Sequence, residues 1–300
     1  MMNSAYQKQV VLLLDVLPEV AREDCFALHG GTAINLFVRN MPRLSVDIDL
    51  TYTEIAAREP TLAAINEALG RIQSRIENLR PTIRVRHKRE VCKLQIDERG
   101  VLIKIEVNMV GRGVLGDITR VELCSAAQEQ YDVFCTVPMV PLGQVYGGKL
   151  CAALDRQHPR DLFDVKLLLE NEGLNAEIKA GLIYGLLSGN RPTHEMLAPN
   201  AIDQRIAFEN QFKGMTAHDF SYDDYENTRN LLLKTVMESL NKSDRKFLID
   251  FNKLEPDWSV YPYQDFPSVK WKMLNLEKFR RNDPDSYERH LNQLERQLGC

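Results

Sequence analysis

No two of the six cysteines, Cys25, Cys92, Cys124, Cys135, Cys151 and Cys300, stand in a C-x-x-C spacing, so the chain offers neither a zinc ribbon nor a dithiol redox motif. A reduced, cytoplasmic setting is expected. Long apolar runs are lacking too. The first one, over residues 10–17, contains Asp15 and stops at Pro18, far below the roughly 20 residues that span a bilayer. No basic leader or small-residue cleavage site accompanies it, so it reads as a core helix, and neither a signal peptide nor a membrane partner is expected. Positive charge is not in excess: 38 Lys and Arg against 42 Asp and Glu leave a net charge of −4. That excludes a general polynucleotide coat and confines any nucleic-acid contact to a local patch. Internal repeats, low-complexity tracts and long flexible linkers are missing as well. What is present is 44% hydrophobic and 27% charged residues, ordinary globular usage, in 300 residues, enough for two domains.

Residues 6–20 carry Val10, Leu13, Leu14 and Leu17 at helical spacing. Cys25-Phe26-Ala27-Leu28-His29 reads as a buried strand ending in a tight turn at Gly30-Gly31. Thr32 is placed to cap a following helix through Ala33, Leu36 and Phe37. Residues 44–52, L-S-V-D-I-D-L-T-Y, alternate strictly, with Leu44, Val46, Ile48 and Leu50 on one face and Ser45, Asp47 and Asp49 on the other. A helix is expected over 61–79 and strands over 82–87, 90–97 and 101–110. In the last of these, Ile103, Ile105 and Val107 form the core face and leave Lys104, Glu106 and Asn108 opposite. After Val137-Pro138-Met139-Val140-Pro141 the pattern is helix separated by Pro, Gly and Asn breakers. The expectation is an α+β chain, with a mixed sheet and flanking helices in residues 1–140 and an α-helical domain in 141–300.

Asp47 and Asp49, two residues apart on a strand, project from one face about 7 Å apart. With a third acid they suit magnesium, which takes a few carboxylates and completes its shell with water and phosphate oxygens. Glu106 is the natural third acid. Two metals held this way activate an attacking hydroxyl and stabilise a leaving pyrophosphate oxygen. The D-x-D tripeptide alone also fits a solvated strand face. Gly30-Gly31-Thr32, where a strand passes into a helix, offers backbone N–H groups to a phosphate, although a turn needing positive φ has the same composition. Further on, Lys149, Ala152, Ala153 and Arg156 share one helix face with Gly147-Gly148 just ahead. His158-Pro159 then opens a helix whose first turns hold Arg160, Asp161 and Asp164. Proline and acids are ordinary at a helix start. Lys149 with Arg160 supplies the charge neutralisation that phosphoryl transfer needs; an Arg160–Asp161 pair joining two helices is the structural alternative.

The runs H-G-G-T-A-I-N-L-F, R-L-S-V-D-I-D-L, I-K-I-E-V-N and G-G-K-L-C-A-A-L-D-R-Q-H-P-R-D-L-F-D-V, in that order over residues 26–170, resemble the AbiEii/AbiGii-type nucleotidyltransferase toxins of bacterial toxin–antitoxin and abortive-infection (phage-defence) systems. F-P-S-V-K-W-K-M-L-N-L at 266–276 resembles the same family's tail. The resemblance implies a polymerase-β-like nucleotidyltransferase core with a helical C-terminal half, an NTP substrate, Mg2+ or Mn2+, an RNA acceptor such as the tRNA 3′ end, and a cognate antitoxin. By position it implies that Gly30, Gly31, Thr32 and Ser45 contact the nucleotide. Asp47 and Asp49 would bind metal, and Glu106 would complete the carboxylate set. Lys149 and Arg160 would meet the phosphates, and Asp161 or Asp164 would serve in the helical motif. The chain departs from the wider superfamily in having Gly30-Gly31 where Gly-Ser is usual, and Glu106 where many members have Asp. A transferase acting on a small molecule or protein, or a catalytically idle nucleotide-binding module, would use the same elements.

Two further clusters fall outside this set. Arg80, Arg84, Arg86, His87, Lys88 and Arg89 suit either an RNA backbone or a charged edge strand. Lys270, Lys272, Lys278, Arg280 and Arg281 accompany Trp271, an aromatic that suits stacking on a base but is expected in the core. His29 reads as a strand end and His158 as a helix cap; neither has a partner at metal-ligand spacing.

Overall fold

A computed structural model describes residues 3–299. Cys300 lies outside them, and the other five cysteines are free thiols. The chain folds as two units. One runs up to Pro141 and takes in Phe212–Asp219; the other comprises Leu142–Gln211 and continues from Phe220.

The first unit contains α1 (Ser4–Val20), β1 (Phe26–His29), a helical turn α2 (Gly30–Thr32) that passes into a π-helical stretch (Ala33–Val38), β2 (Asp47–Tyr52) and α3 (Arg58–Leu79). It continues with β3 (Ile83–Lys88), β4 (Lys93–Glu98), β5 (Val101–Asn108), β6 (Thr119–Glu122), α4 (Ser125–Tyr131) and β7 (Thr136–Met139). The strands form one sheet in the order β3-β4-β5-β2-β1-β7-β6. β2 runs parallel to β5 and β1 parallel to β7; the remaining pairs are antiparallel. The period-two pattern gives the sheet its core face, where Ile48, Ile105, Leu94 and Ile96 are fully buried. Val10, Leu13, Leu14 and Leu17 of α1 and Ile65, Leu69, Ile72 and Ile76 of α3 are buried as their spacing requires. Each contributes about 1.5–3 kcal/mol against exposure. Among the described residues no helix is long and apolar enough to cross a membrane.

Three local expectations are corrected. The strand expected from Leu44 begins at Asp47, because Arg43 bridges to Thr216 and the Leu44 N–H donates to the Met215 carbonyl (2.7 Å) on the segment that returns to this unit. Thr32 does not cap a helix: its hydroxyl donates instead to the Asp47 carbonyl (2.5 Å), which ties the turn to β2. β6, α4 and β7 lie where no element was expected. Their strands have only four residues, and Pro138 interrupts one of them.

The second unit is helical: α5 (Leu142–Arg156), α6 (Pro159–Asn171), α7 (Ala176–Ser188), α8 (Thr193–Leu197), α9 (Arg205–Ala207), α10 (Tyr222–Ser239), α11 (Lys242–Asn252), α12 (Pro267–Asn282) and α13 (Pro284–Leu298). Gly147-Gly148, expected ahead of a helix, lies inside α5. Gly147 is there because α5 and α7 meet backbone to backbone. A Cβ on Gly147 would lie 2.2 Å from the Gly181 carbonyl carbon, and one on Gly181 would lie 1.8 Å from the Gly143 oxygen. Gly181→Ala is therefore expected to destabilise the protein by about 1–3 kcal/mol or more through overpacking. Gly148→Ala, with open space around it, should stabilise it by up to about 1 kcal/mol. Urea unfolding of the two variants separates packing from helix propensity.

Candidate active site

In the first unit the strand register sets four ionisable side chains in a row across one sheet face. Lys93 pairs with Glu106, Glu106 with Asp49, and Asp49 with His29, on β4, β5, β2 and β1 in turn. Asp47 lies one pleat away on β2, opposite Lys104. The Lys93 ammonium is bonded to a Glu106 carboxylate oxygen. His29 Nδ1 and the Thr51 hydroxyl lie in hydrogen-bond contact (3.1 Å). Alternation puts all of these opposite the Ile48 and Ile105 face, so the acids are only half-buried and water, metal or substrate can reach them.

The turn between β1 and α2 closes one end of this row. Gly30 has φ +75°, and a Cβ there would lie 2.4 Å from Asp49 Oδ2, so only glycine lets the carboxylate lie against the backbone. A Cβ on Gly31 would meet Arg43 Nη2 at 3.0 Å and Ser45 Oγ at 3.1 Å. The Arg43 guanidinium is thus packed at the turn, buried, with Nη1 donating to the Leu44 carbonyl (2.9 Å). The Thr32 and Ser45 hydroxyls share a 3.0 Å hydrogen bond. The expected first-half residues Gly30, Gly31, Thr32, Ser45, Asp47, Asp49 and Glu106 therefore lie around one turn and three strand positions.

Asp47, Asp49 and Glu106 are hard oxygen donors on two adjacent strands, and that chemistry suits a divalent cation such as Mg2+. As they stand, no three His, Cys, Asp or Glu side chains among the described residues are gathered closely enough to hold an ion. Glu106 is turned to Lys93, and its release from that ion pair is what would bring the third acid to Asp49.

The second group lies within the second unit. Lys149 on α5 is 7% exposed, and its ammonium bonds Asp161 Oδ1 (2.7 Å) and Asp164 Oδ2 (3.0 Å) on α6. Arg156 grips Asp161 from the other side, Nε to Oδ2 at 2.6 Å and Nη2 to Oδ1 at 3.1 Å. Burial alone would raise the Asp161 carboxyl, yet Lys149 and Arg156 outweigh it and hold the group well below the usual carboxylate range. The ion pair considered for Asp161 with Arg160 is thus formed by Lys149 and Arg156. His158 caps α6 as expected. Its Nδ1 accepts from the Arg160 backbone N–H (3.1 Å), which leaves the proton on Nε2 to donate to Gln211 Oε1 (3.1 Å). Burial also pushes this imidazole down, in keeping with a neutral cap.

Sequence reasoning passed over Arg43, Lys93 and the part played by Arg156. Lys93 was open to inference: Arg99 and Gly100, both at positive φ, form a two-residue hairpin turn, and that turn fixes Glu98 opposite Val101 and hence Lys93 opposite Glu106.

The two further clusters resolve separately. β3 is an edge strand, with Arg84, Arg86 and Arg89 exposed and Arg80 bonded to Asp15 (2.7 Å) and Glu98 (2.8 Å). Trp271, expected in the core, is 49% exposed: α12 turns Ser268, Val269 and Lys272 inward, and Lys278 lies 5.7 Å over the indole ring.

Comparison with known proteins gives a family and a fold. The family described as "Nucleotidyl transferase AbiEii toxin, Type IV TA system" matches residues 11–275. Among solved structures the chain is similar to MenT4, a nucleotidyltransferase toxin from Mycobacterium tuberculosis H37Rv. The TM-score is 0.61 at 13% identity, covering 91% of this chain and 95% of that one; at that identity the likeness speaks to the fold. A search of the curated proteins finds no match.

Proposed function

This chain belongs to the AbiEii family of nucleotidyltransferase toxins of type IV toxin–antitoxin systems, and from that premise we propose that it transfers a nucleotide from an NTP to an RNA 3′ end, a tRNA in the first place. The observation that carries the reading is the row Glu106–Asp49–His29 laid against the Gly30 turn. Asp47, Asp49 and Glu106 would hold Mg2+ or Mn2+, which when bound supplies charge neutralisation at the phosphates and a more acidic acceptor hydroxyl.

The chain's own residues do the rest. Gly30 lets the Asp49 carboxylate lie against the backbone, and the backbone N–H groups of the Gly31-Thr32 turn would be donors to the phosphates. Thr32 and Ser45 hold the turn on β2 and so fix where Asp47 stands. Arg43, buried beside Gly31, adds a fixed positive charge to the turn. Within the second unit, Arg156 and Arg160 would offer cations to a phosphate. Lys149 offsets one of the two charges of Asp161 and Asp164, which leaves Asp161 able to hold the Arg156 guanidinium. The acceptor's 3′-oxygen attacks the α-phosphorus, the bond to the β-phosphate oxygen breaks, and pyrophosphate leaves in line. The family implies an antitoxin partner; a cytoplasmic setting agrees with five free thiols.

The test is incubation of the intact protein with each α-labelled NTP, magnesium and total RNA on a denaturing gel. Label in a tRNA-sized band supports the reading and names the nucleotide. Label only in protein or small molecules assigns another acceptor. Nucleotide binding with no label anywhere, manganese included, leaves a binding module and overturns it.

A further inference from the structure

The second unit also contains a cavity of about 310 Å³ that none of Lys149, Arg156, Asp161 or Asp164 lines. It is bounded by α8, α11, α12, α13 and the loop before α8. Its size is at the lower end for small-molecule sites. Three features of its lining point to a ligand.

The first is Lys272, 6% exposed, whose ammonium donates to the Gly189 and Arg191 carbonyls, both at 2.6 Å. An ammonium has three donors, and the third has no partner among the described residues. No carboxylate pairs with it there either, and burial pushes it down to about 8. An ammonium kept dry without a counter-ion is costly, so an anion arriving at this wall gains a desolvated partner. The second feature is a pair of imidazoles. His194 and His290 lie ring against ring, centroids 4.5 Å apart, with no side-chain hydrogen bond from either among the described residues. No Asp or Glu lines the cavity; Glu195, beside His194 on α8, is occupied by Arg191 (3.0 Å). The third is an apolar wall. Phe279 lies 5.1 Å from the His290 ring, and Leu291 completes the surface.

We propose that this cavity binds a small aromatic anion, its ring against Phe279 and Leu291 and its carboxylate or phosphate at Lys272 and the His194–His290 pair. A neutral ligand would leave the ammonium unanswered and a cation would be repelled, while an aliphatic anion would forgo the aromatic wall. The proposal rests on the second unit alone and stands or falls separately from nucleotidyl transfer.

The test uses the intact protein and three probes, 2-naphthoate, 2-naphthyl phosphate and the neutral 2-naphthalenemethanol, titrated by ligand-observed NMR. Saturable binding of at least one anion is expected, with the alcohol at least about tenfold weaker, the scale of one charge-assisted contact. The tighter of the two anions identifies the headgroup. Leu291→Trp, which fills the cavity, should weaken that anion at least about tenfold, and His290→Gln should weaken it without moving the alcohol. These two variants leave the Lys272 carbonyl bonds in place, so folding is not at issue as it is for Lys272→Met. Absence of saturable anion binding, an alcohol that binds as tightly, or full affinity in Leu291→Trp would each overturn the proposal.

Discussion

Asp49→Asn is expected to lower nucleotide transfer by about 10³-fold or more, the scale set by losing a charged group from a transition-state site, and to relieve growth inhibition on expression. Its fold should survive. Asparagine keeps the volume that lies against Gly30, and a half-buried strand position opposite the core face costs about 0.5 kcal/mol or less when shape is kept. The effect comes from charge: Asp49 is the acid that faces Glu106 on one side and His29 on the other, so no other carboxylate of the row can take its place. Initial rates with labelled NTP, read beside thermal unfolding, check both halves. Undiminished toxicity in a folded variant would remove Asp49 from the chemistry.

The second large effect is on stability. Lys149→Met leaves Asp161 and Asp164, each 1% exposed, with Arg156 as the counter-charge on Asp161, and stranding buried carboxylates costs about 3–5 kcal/mol. The pH dependence follows from Asp161, whose folded-state carboxyl is held below its unfolded value of about 3.9. Its contribution is present in full above that unfolded value and is lost as the pH falls through the folded one. In the variant the same acids gain protons on folding instead, so the deficit against the parent should be largest near neutral pH and shrink as the pH approaches 4. Urea midpoints at pH 7.5 and 4.5 measure it. An equal deficit at both values would mean that Lys149 acts through packing and not through charge.

Much of the first unit was legible because its strands obey period two and its helices period 3.6. Ile48 against Asp49 and Ile105 against Glu106 announced which face each would take. The register was less accessible. Nothing local shows that Leu44 is drawn out of its alternating run by Met215, about 170 residues later in the chain, or that Thr32 faces the Asp47 carbonyl and not a helix end. The helical half hid its packing for a related reason. Gly147 read as lying just ahead of its helix because a glycine required by a facing helix, at Gly181, has the same signature as one outside a helix. Of the candidate site, the residue types and the order of the motifs could be read. Arg43 could not, since it stands among breakers, and neither could the capture of Lys149 by two acids.

The central claim is that the carboxylates on the sheet face hold a metal and a nucleotide together. Its most direct test is Mn2+ binding by electron paramagnetic resonance, with a non-hydrolysable NTP analogue present, in the parent, Asp49→Asn and Glu106→Gln. The account predicts saturable, nucleotide-dependent Mn2+ binding in the parent and at least about tenfold weaker binding in both variants. Equal binding in all three would contradict it.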